Sequence, residues 1–241
     1  MFKHRGDTRT LSHNLRIASL LSFVAGIVNV AGFLSVQRLT TNVTGHFAFL
    51  IDEVFKLNFL NALVFFLYIF FFFLGSFFSN FVIEIVSRRS ERFIFVVPIV
   101  VEIIILSLLP FLGKHFIDTH PDIVAYSLLF AMGLQNSLVT SISNAVVRTT
   151  HLTGLFTDLG IELSQLLFYK TPEAKSKLRS SIRLRLTIIF FFFTGGVCGG
   201  VFYSTIQLHV LLIASGSLVF GLIYDSIKFR IIQLKQSLSG K

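Results

Sequence analysis

The chain has 241 residues, of which 54% are hydrophobic and only 14% are charged, and its mean hydropathy is +0.79. A soluble domain carries about 25% charged residues because its surface must be solvated, so a soluble enzyme and a disordered chain are excluded. The net charge of +9 would suggest nucleic acid in a soluble protein, but beside apolar segments it indicates the basic flanks of membrane helices. We therefore expect the lipid bilayer as a partner, and no nucleic acid.

Four stretches of the chain contain no Asp, Glu, Lys or Arg, and they are 21, 27, 25 and 39 residues long: 17–37, 57–83, 123–147 and 186–224. About 20 apolar residues cross a bilayer as a helix, so these stretches supply five crossings, two of them in the longest. An outer-membrane barrel is excluded, because it needs short segments of alternating hydrophobicity. The sequence predicts an all-α polytopic membrane protein with helical segments at 16–37, 43–55, 58–86, 93–112, 122–142, 152–169, 182–204 and 207–226.

An internal duplication is visible in the sequence. Residues 40–45 read TTNVTG and residues 149–154 read TTHLTG, at an offset of 109. Three further pairs match in the same order: Glu53 with Glu162, residues 26–29 with 133–136, and residues 70–75 with 190–195. The predicted organisation is a cytoplasmic segment at 1–15, membrane repeat 1 at 16–112, an external loop at 113–121, membrane repeat 2 at 122–226 and a cytoplasmic tail at 227–241.

The segment 43–55 is predicted to be a re-entrant helix rather than a crossing. Its uncharged run is only 13 residues long, a length typical of re-entrant segments, and its counterpart 152–169 is interrupted by Asp158 and Glu162. If neither segment crosses, 18 of the 21 Lys and Arg residues are cytoplasmic, and if both cross the number falls to 16. The positive-inside rule favours six transmembrane helices as two inverted three-helix repeats, each with a short re-entrant helix and with both termini cytoplasmic. Eight spans, as two four-helix repeats, are the alternative.

The duplicated motif is the candidate binding site. A helix that begins inside the membrane presents unpaired N–H groups and its positive dipole end, and irregular backbone at that depth is tolerated only against protein or a water-filled cavity. Threonines before an apolar run also serve as N-caps, so a purely structural role stays open. The amides of the neighbouring helices either line the same cavity or bond between helices. The candidate substrate- or ion-binding residues are Asn29, Thr40, Thr41, Thr44, Gly45, His46, Gln135, Asn136, Thr149, Thr150, His151, Thr153 and Gly154.

Four carboxylates, Glu53, Glu102, Asp158 and Glu162, are candidates for proton or cation coupling. Ionisable groups within membrane segments are costly and tend to be functional. Asp158 and Glu162 are one helical turn apart, so they share a face of their segment. The alternative is placement at the water interface, which applies above all to Glu53 beside Lys56. No metal site is predicted.

Four motifs together resemble the YoaK-like family, a family of bacterial inner-membrane proteins whose domain is labelled as of unknown function: FVAGIVNVAGF at 23–33, TNVTGH at 41–46, MGLQNS at 132–137 and TTHLTG at 149–154. The resemblance covers about residues 15–228, and it implies a multi-pass protein of the inner (plasma) membrane. It supplies neither a substrate nor a reaction. Asn29 stands where the family usually has Asp, and His46 where it often has Asn, so a proton-carrying role of that Asp would not transfer to Asn29.

The leading functional hypothesis is a transporter or channel for a small solute or ion, with a midplane site between the two TTxxTG segments. The alternative is a non-catalytic membrane scaffold or assembly factor. A membrane-embedded enzyme is less favoured, because the sequence shows no clustered nucleophile and base and no phosphate loop, so we expect neither enzymatic activity nor a cofactor. Small residues at 75–79 and 195–200 permit close helix packing, and a homodimer through these faces is the expected protein partner.

Overall fold

The computed structural model describes residues 9–88 and 94–239, and in this part of the chain every regular element is a helix. The prediction of an all-α protein is confirmed. A 3-10 turn at Leu109–Leu112 follows α4, and a second at Gln207–Val210 joins α8 to α9. The α-helices are α1 Leu11–Val36, α2 Val43–Phe55, α3 Phe59–Ser87, α4 Val96–Leu108, α5 Lys114–Thr119, α6 Pro121–Ser143, α7 Leu152–Phe168, α8 Pro172–Ile206 and α9 Leu211–Ser239.

Length and composition allow several of these helices to cross a membrane. Among the described residues four stretches qualify: α1, α3, α6 and the 56-residue stretch Pro172–Ile227, which holds α8 and the first part of α9. A fifth apolar stretch, Val96–Leu112, is shorter. Large apolar side chains on the outside of the bundle are widely exposed, for example Phe73 at 60% and Phe193 at 67%. An exposed apolar surface of this extent requires a membrane environment, so the chain is an integral membrane protein.

Helix boundaries differ most from the sequence expectation at α8 and α9, while α1 begins five residues earlier than expected and α5 lies within the predicted external loop. α8 begins at Pro172, ten residues before the expected start at 182, because proline is favoured at the first helical position and the Lys and Arg residues that follow are good helix formers. α9 continues through Ser239 into the predicted tail. The first part of the predicted cytoplasmic segment, 1–8, and the cations within 89–93 lie outside the described residues.

α1 packs most extensively against α8, and glycines allow the two backbones to approach closely. A Cβ atom at Gly26 would overlap the carbonyl oxygen of Phe192, and one at Gly195 would overlap that of Phe23. Such contact between a helix backbone and a facing glycine is typical of small-residue crossings in membranes. The small-residue face of α8 is therefore covered within the chain.

α3 crosses α6 in the same manner. A Cβ atom at Gly75 would overlap the carbonyl oxygen of Phe130, and one at Gly133 would overlap that of Phe72. The hydroxyl of Ser76 donates a hydrogen bond of 2.9 Å to the carbonyl oxygen of Gly133. The small residues of α3 thus pack on α6 within the chain. A homodimer as the protein partner stays a prediction.

The main helix contacts occur in matched pairs. α1 packs on α8 as α6 packs on α3, α2 packs on α3 as α7 packs on α8, and α1 packs on α9 as α6 packs on α4. Two further contacts, of α1 with α6 and of α4 with α9, are each between a helix and its own counterpart. Exchanging each helix for its counterpart in the other half therefore reproduces the main packing.

Valine at a crossing glycine is expected to destabilise the protein by about 2–3 kcal/mol, because the facing backbone must move to admit the side chain. Gly26→Val and Gly133→Val should behave alike, since they occupy equivalent crossings. Gly160→Val and Gly216→Val are the controls, because an added Cβ there meets nothing within 4 Å. Thermal unfolding in detergent measures the difference, and equal midpoints for all four variants would contradict the close crossings.

Candidate functional site

After α1 ends, the chain turns back along the same helix. Gln37 adopts a left-handed conformation with φ 53°, and the next residues are held against α1 by two threonines. The hydroxyl of Thr40 donates to the carbonyl oxygen of Val28 at 3.2 Å, and that of Thr41 donates to Oδ1 of Asn29 at 2.7 Å. Because Val28 lies eight residues before the end of α1, the chain returns by about 12 Å. It re-enters the bundle before α2 starts.

The segment after α6 repeats this path. Asn144 also has φ 53°, a left-handed conformation that asparagine tolerates at helix ends. Nε2 of Gln135 donates to the hydroxyl of Thr149 at 3.3 Å, and the hydroxyl of Thr150 donates to Oδ1 of Asn136 at 2.9 Å. The sequence left open whether these amides line a cavity or bond between helices, and in the structure each of these threonines lies against an amide or the adjacent backbone of the neighbouring helix.

The candidate threonines divide into two groups. Thr40 and Thr149 are fully buried, and together with Thr41 and Thr150 they hold the returning segments in place. Thr44 and Thr153 are exposed on the first turns of α2 and α7. Within the described part of the chain no side-chain hydrogen bond of either hydroxyl is present. These two hydroxyls are therefore the ones available to a ligand.

The first turns of α2 and α7 are shaped by residues next to the candidate glycines. Asn42 caps α2, because its side chain accepts a hydrogen bond of 3.0 Å from the backbone N–H of Gly45. At the start of α7, the exposed ring of His151 lies where a Cβ atom on Gly154 would be. Glycine therefore lets the imidazole lie against the first turn of α7.

His46 fills the space between α2 and α3. It is 1% exposed, and its Nε2 lies 2.6 Å from the carbonyl oxygen of Leu39. Its ring contacts that of Tyr68, with centroids 4.8 Å apart. Burial lowers the pKa of His46 and the charge of Arg38 lowers it further, although the bond to Leu39 opposes both effects. The imidazole is therefore part of the packing between the two helices.

A charged group that the sequence did not indicate lies beside His46. Nε of Arg38 donates to the hydroxyl of Tyr68 at 3.0 Å, and that hydroxyl donates in turn to Asp122. Arg38 and Asp122 also form an ion pair of 3.9 Å. The three residues link the end of α1 to the third turn of α3 and to the start of α6. Sequence reasoning counted Arg38 only as a flanking charge, because nothing in the sequence shows that residue 122 lies beside it.

Arg185 of α8 binds both candidate carboxylates of α7, Asp158 and Glu162. Its Nε and Nη2 donate to both oxygens of Glu162 at 2.9 and 3.0 Å, and its Nη1 donates to Asp158 at 2.8 Å. Ser181 donates to Glu162 at 2.6 Å. Burial alone raises the pKa of Glu162, but the hydrogen bonds from Arg185 and Ser181 outweigh it and lower the pKa below its ordinary value. Paired, bidentate contacts of this kind are the strongest that arginine makes.

A cavity of about 360 Å³ adjoins this ion pair. The first turns of α7 and the adjacent part of α8 form its walls, and its polar lining residues include Arg148, His151, Asp158, Ser181 and Arg185. In the duplication, the offset of 109 makes Phe49 the counterpart of Asp158. The offset of 120 between the Phe runs makes Phe65 the counterpart of Arg185. Phe49 and Phe65 are stacked with centroids 5.2 Å apart. One half thus has an ion pair beside a cavity where the other has two packed rings.

The remaining carboxylates lie elsewhere. Glu53 is half-buried on α2, and one of its oxygens has no hydrogen-bond partner in the described residues. Glu102 is fully buried on α4, and neither of its oxygens has such a partner. Glu53 and Glu162 occupy separate hairpins, the first packed on α3 and the second on α8. No group of three or more His, Cys, Asp or Glu suited to a metal occurs in the described ranges.

These helices and returning segments define an integral membrane protein of the helical class, with candidate site residues at the start of α2, which packs on α3, and at the start of α7, which packs on α8. A family model described as protein of unknown function (DUF1275) matches residues 17–224, so the chain belongs to this family. No curated protein and no solved structure matches the chain. The narrower YoaK-like assignment stays a prediction.

Proposed function

We propose that the protein is a transporter or channel for a small solute or ion, built from six crossing helices in two inverted repeats. The matched helix contacts support a duplicated architecture, and the direction of the helices supports the inversion. Nε2 of Gln135 on α6 donates to the carbonyl oxygen of Leu21 on α1, whereas Gly32 lies beside Leu128. Residue numbers therefore rise in opposite directions along α1 and α6, as an inverted repeat requires.

The observation that carries this proposal is the difference between the two returning segments. Beside His151 and Gly154 a cavity lies next to the Arg185 ion pair, whereas the residues that correspond to Asp158 and Arg185 in the first half are the stacked rings of Phe49 and Phe65. Inverted repeats that rock against each other around a site are the arrangement by which secondary transporters open to one face at a time, and a polar cavity in one repeat is a place for such a site. The positive-inside rule makes the face with the cations of α8 cytoplasmic, in the inner (plasma) membrane.

Cysteine labelling tests this arrangement without a known substrate. In a Cys198→Ala background, Thr153→Cys is expected to react with a membrane-impermeant maleimide only from the face that carries Lys175. Thr44→Cys is expected to react from the face that carries Lys114. Thr40→Cys and Thr149→Cys, which replace fully buried residues, are the unreactive controls. Labelling of positions 44 and 153 from the same face would rule out the inverted repeats.

A flux measurement separates transport from the alternative of a scaffold or assembly factor. Proteoliposomes on a solid-supported membrane are challenged with a panel of small inorganic ions and small organic solutes. We expect at least one to give a current or swelling response that Thr44→Val and Thr153→Val abolish, because valine keeps the shape and removes the hydroxyl. Both variants should unfold at the wild-type temperature, since neither hydroxyl has a side-chain hydrogen bond to any residue that the structure describes. A response that both variants retain would remove these threonines from the site, and the absence of any response would favour the scaffold.

A further inference from the structure

The first turns of α8 carry cations without acidic partners. Arg179 and Arg183 are one helical turn apart and exposed, and neither takes part in an ion pair among the residues that the structure describes. Both line a cavity of about 540 Å³ that also reaches Leu11 at the start of α1. The other polar groups that line it include Lys170, Lys175, Ser176 and Ser180. An anion in this cavity would meet four positive side chains.

A second cavity of about 490 Å³ adjoins the first and is mostly apolar. Arg179 and Arg183 belong to the linings of both. The walls of the second cavity come from α7 and α8, and its apolar lining includes Leu163, Leu166, Ile182, Leu186, Phe190 and Phe191. A single molecule with a charged end and an apolar chain fits the two cavities together.

The depth of these two cavities in the bilayer follows from the length of α8. The helix has 35 residues and is about 52 Å long, whereas the hydrocarbon core of a bilayer is about 30 Å thick. The charge-free part of the helix starts at Leu186, so the residues before it project from the hydrocarbon. Arg183 therefore lies at the boundary, at the depth of lipid phosphates, and the apolar cavity lies at the depth of acyl chains.

We propose that the two cavities form a binding site for an anionic phospholipid. Its phosphate lies between Arg179 and Arg183, and one acyl chain lies against Leu186 and Phe190. Basic pockets at the end of membrane helices recognise anionic headgroups by charge complementarity, and a zwitterionic lipid would leave this excess of cations unbalanced. The inference depends on the membrane placement of α8 and is independent of transport.

The duplication shows that this site is specific to the second half. At the offset of 120, Phe59 and Leu63 of α3 correspond to Arg179 and Arg183, and both are exposed apolar residues, at 65% and 52%. The first half therefore lacks the headgroup contacts. The proposal predicts one anionic lipid per chain rather than two.

Native mass spectrometry of the detergent-purified protein, titrated with phosphatidylglycerol or phosphatidylcholine of equal chain length, tests the proposal. We expect one phosphatidylglycerol to bind before any phosphatidylcholine. Arg179→Gln and Arg183→Gln should each weaken that binding about fivefold, the effect of one cation near an anionic lipid. Lys177→Gln is the matched control, because Lys177 is exposed on the same helix but does not line either cavity.

Two further measurements distinguish a bound lipid from free phosphate, which carries the same negative charge. Inorganic phosphate is titrated against bound phosphatidylglycerol, and we expect no displacement at millimolar concentration because phosphate has no acyl chain. Leu186→Gln, which places a polar group in the apolar cavity, should weaken lipid binding without changing the elution profile. Displacement by phosphate, or an equal loss of binding in Lys177→Gln and Arg183→Gln, would overturn the proposal.

Discussion

Replacement of Arg185 by leucine is expected to destabilise the protein by about 1–3 kcal/mol. Arg185 donates three hydrogen bonds to Asp158 and Glu162, and hydrogen bonds to charged groups are worth more than neutral ones. Without the guanidinium, two carboxylates one turn apart repel each other, and Glu162 is half-buried. The exposure of Asp158, whose side chain is 50% accessible, keeps the loss below that of a fully buried pair. Thermal unfolding in detergent measures the change.

Lys177→Leu is the control for Arg185→Leu, since it removes a cation from an exposed position of the same helix. Its unfolding temperature should stay within the error of the wild type. An equal loss in both variants would mean that the net charge of α8, and not the ion pair, determines stability.

Transplanting the aromatic pair of the first half tests the role of the ion pair in the cavity. Asp158→Phe combined with Arg185→Phe recreates the stacked arrangement of Phe49 and Phe65, so we expect it to recover most of the stability that Arg185→Leu loses. The two rings should also take up space in the cavity, and His151→Cys, at a residue that lines the cavity, should react with maleimide more slowly in this background than in the Cys198→Ala background alone. Recovered stability with unchanged labelling would show that the cavity does not depend on these side chains.

The sequence predicts the helices well where a charge-free run fixes them. The paired positions of the duplication also proved structurally equivalent, since Gly26 and Gly133 make the same contact with a facing backbone, as do Gly75 and Gly195. These features depend on local composition and on repeated letters, and both can be read from one chain. The topology and the domain boundaries stay predictions, because no membrane fixes their orientation.

The ion pairs of the site were beyond sequence reasoning. Arg185 lies within a run of cations that the positive-inside rule explains equally well, and only the packing of α8 on α7 shows that it binds Glu162. Asp122 and Arg38 are far apart in the chain, and the hydroxyl of Tyr68 joins them through hydrogen bonds to both. The difference between Asp158 and Phe49 is recognised only when the duplication and the structure are compared. The two residues occupy corresponding positions of the two repeats, but one is a carboxylate and the other is aromatic.

Glu102→Leu is expected to raise the stability of the protein. Glu102 is fully buried on α4, and both of its oxygens lack hydrogen-bond partners within the described part of the chain. An ionised carboxylate in such a place costs so much that the group is held neutral instead, and a neutral carboxyl without partners still costs about 1–3 kcal/mol. Leucine fills the site without a polar group, so we expect the unfolding temperature to rise by about 2–8 °C.

A residue that weakens the fold and yet occupies its centre is a candidate for function. Under the proposed transport, Glu102→Leu is therefore expected to be more stable and to lose the response of flux to pH, while Glu102→Gln loses that response without a large gain in stability. Glu84→Leu is the matched control, since Glu84 is an exposed carboxylate near the end of α3, and we expect no change in its unfolding temperature. A lower unfolding temperature for Glu102→Leu would show that the carboxyl has a structural partner, and an unchanged pH response in both variants would leave the threonines at the starts of α2 and α7 as the candidate site.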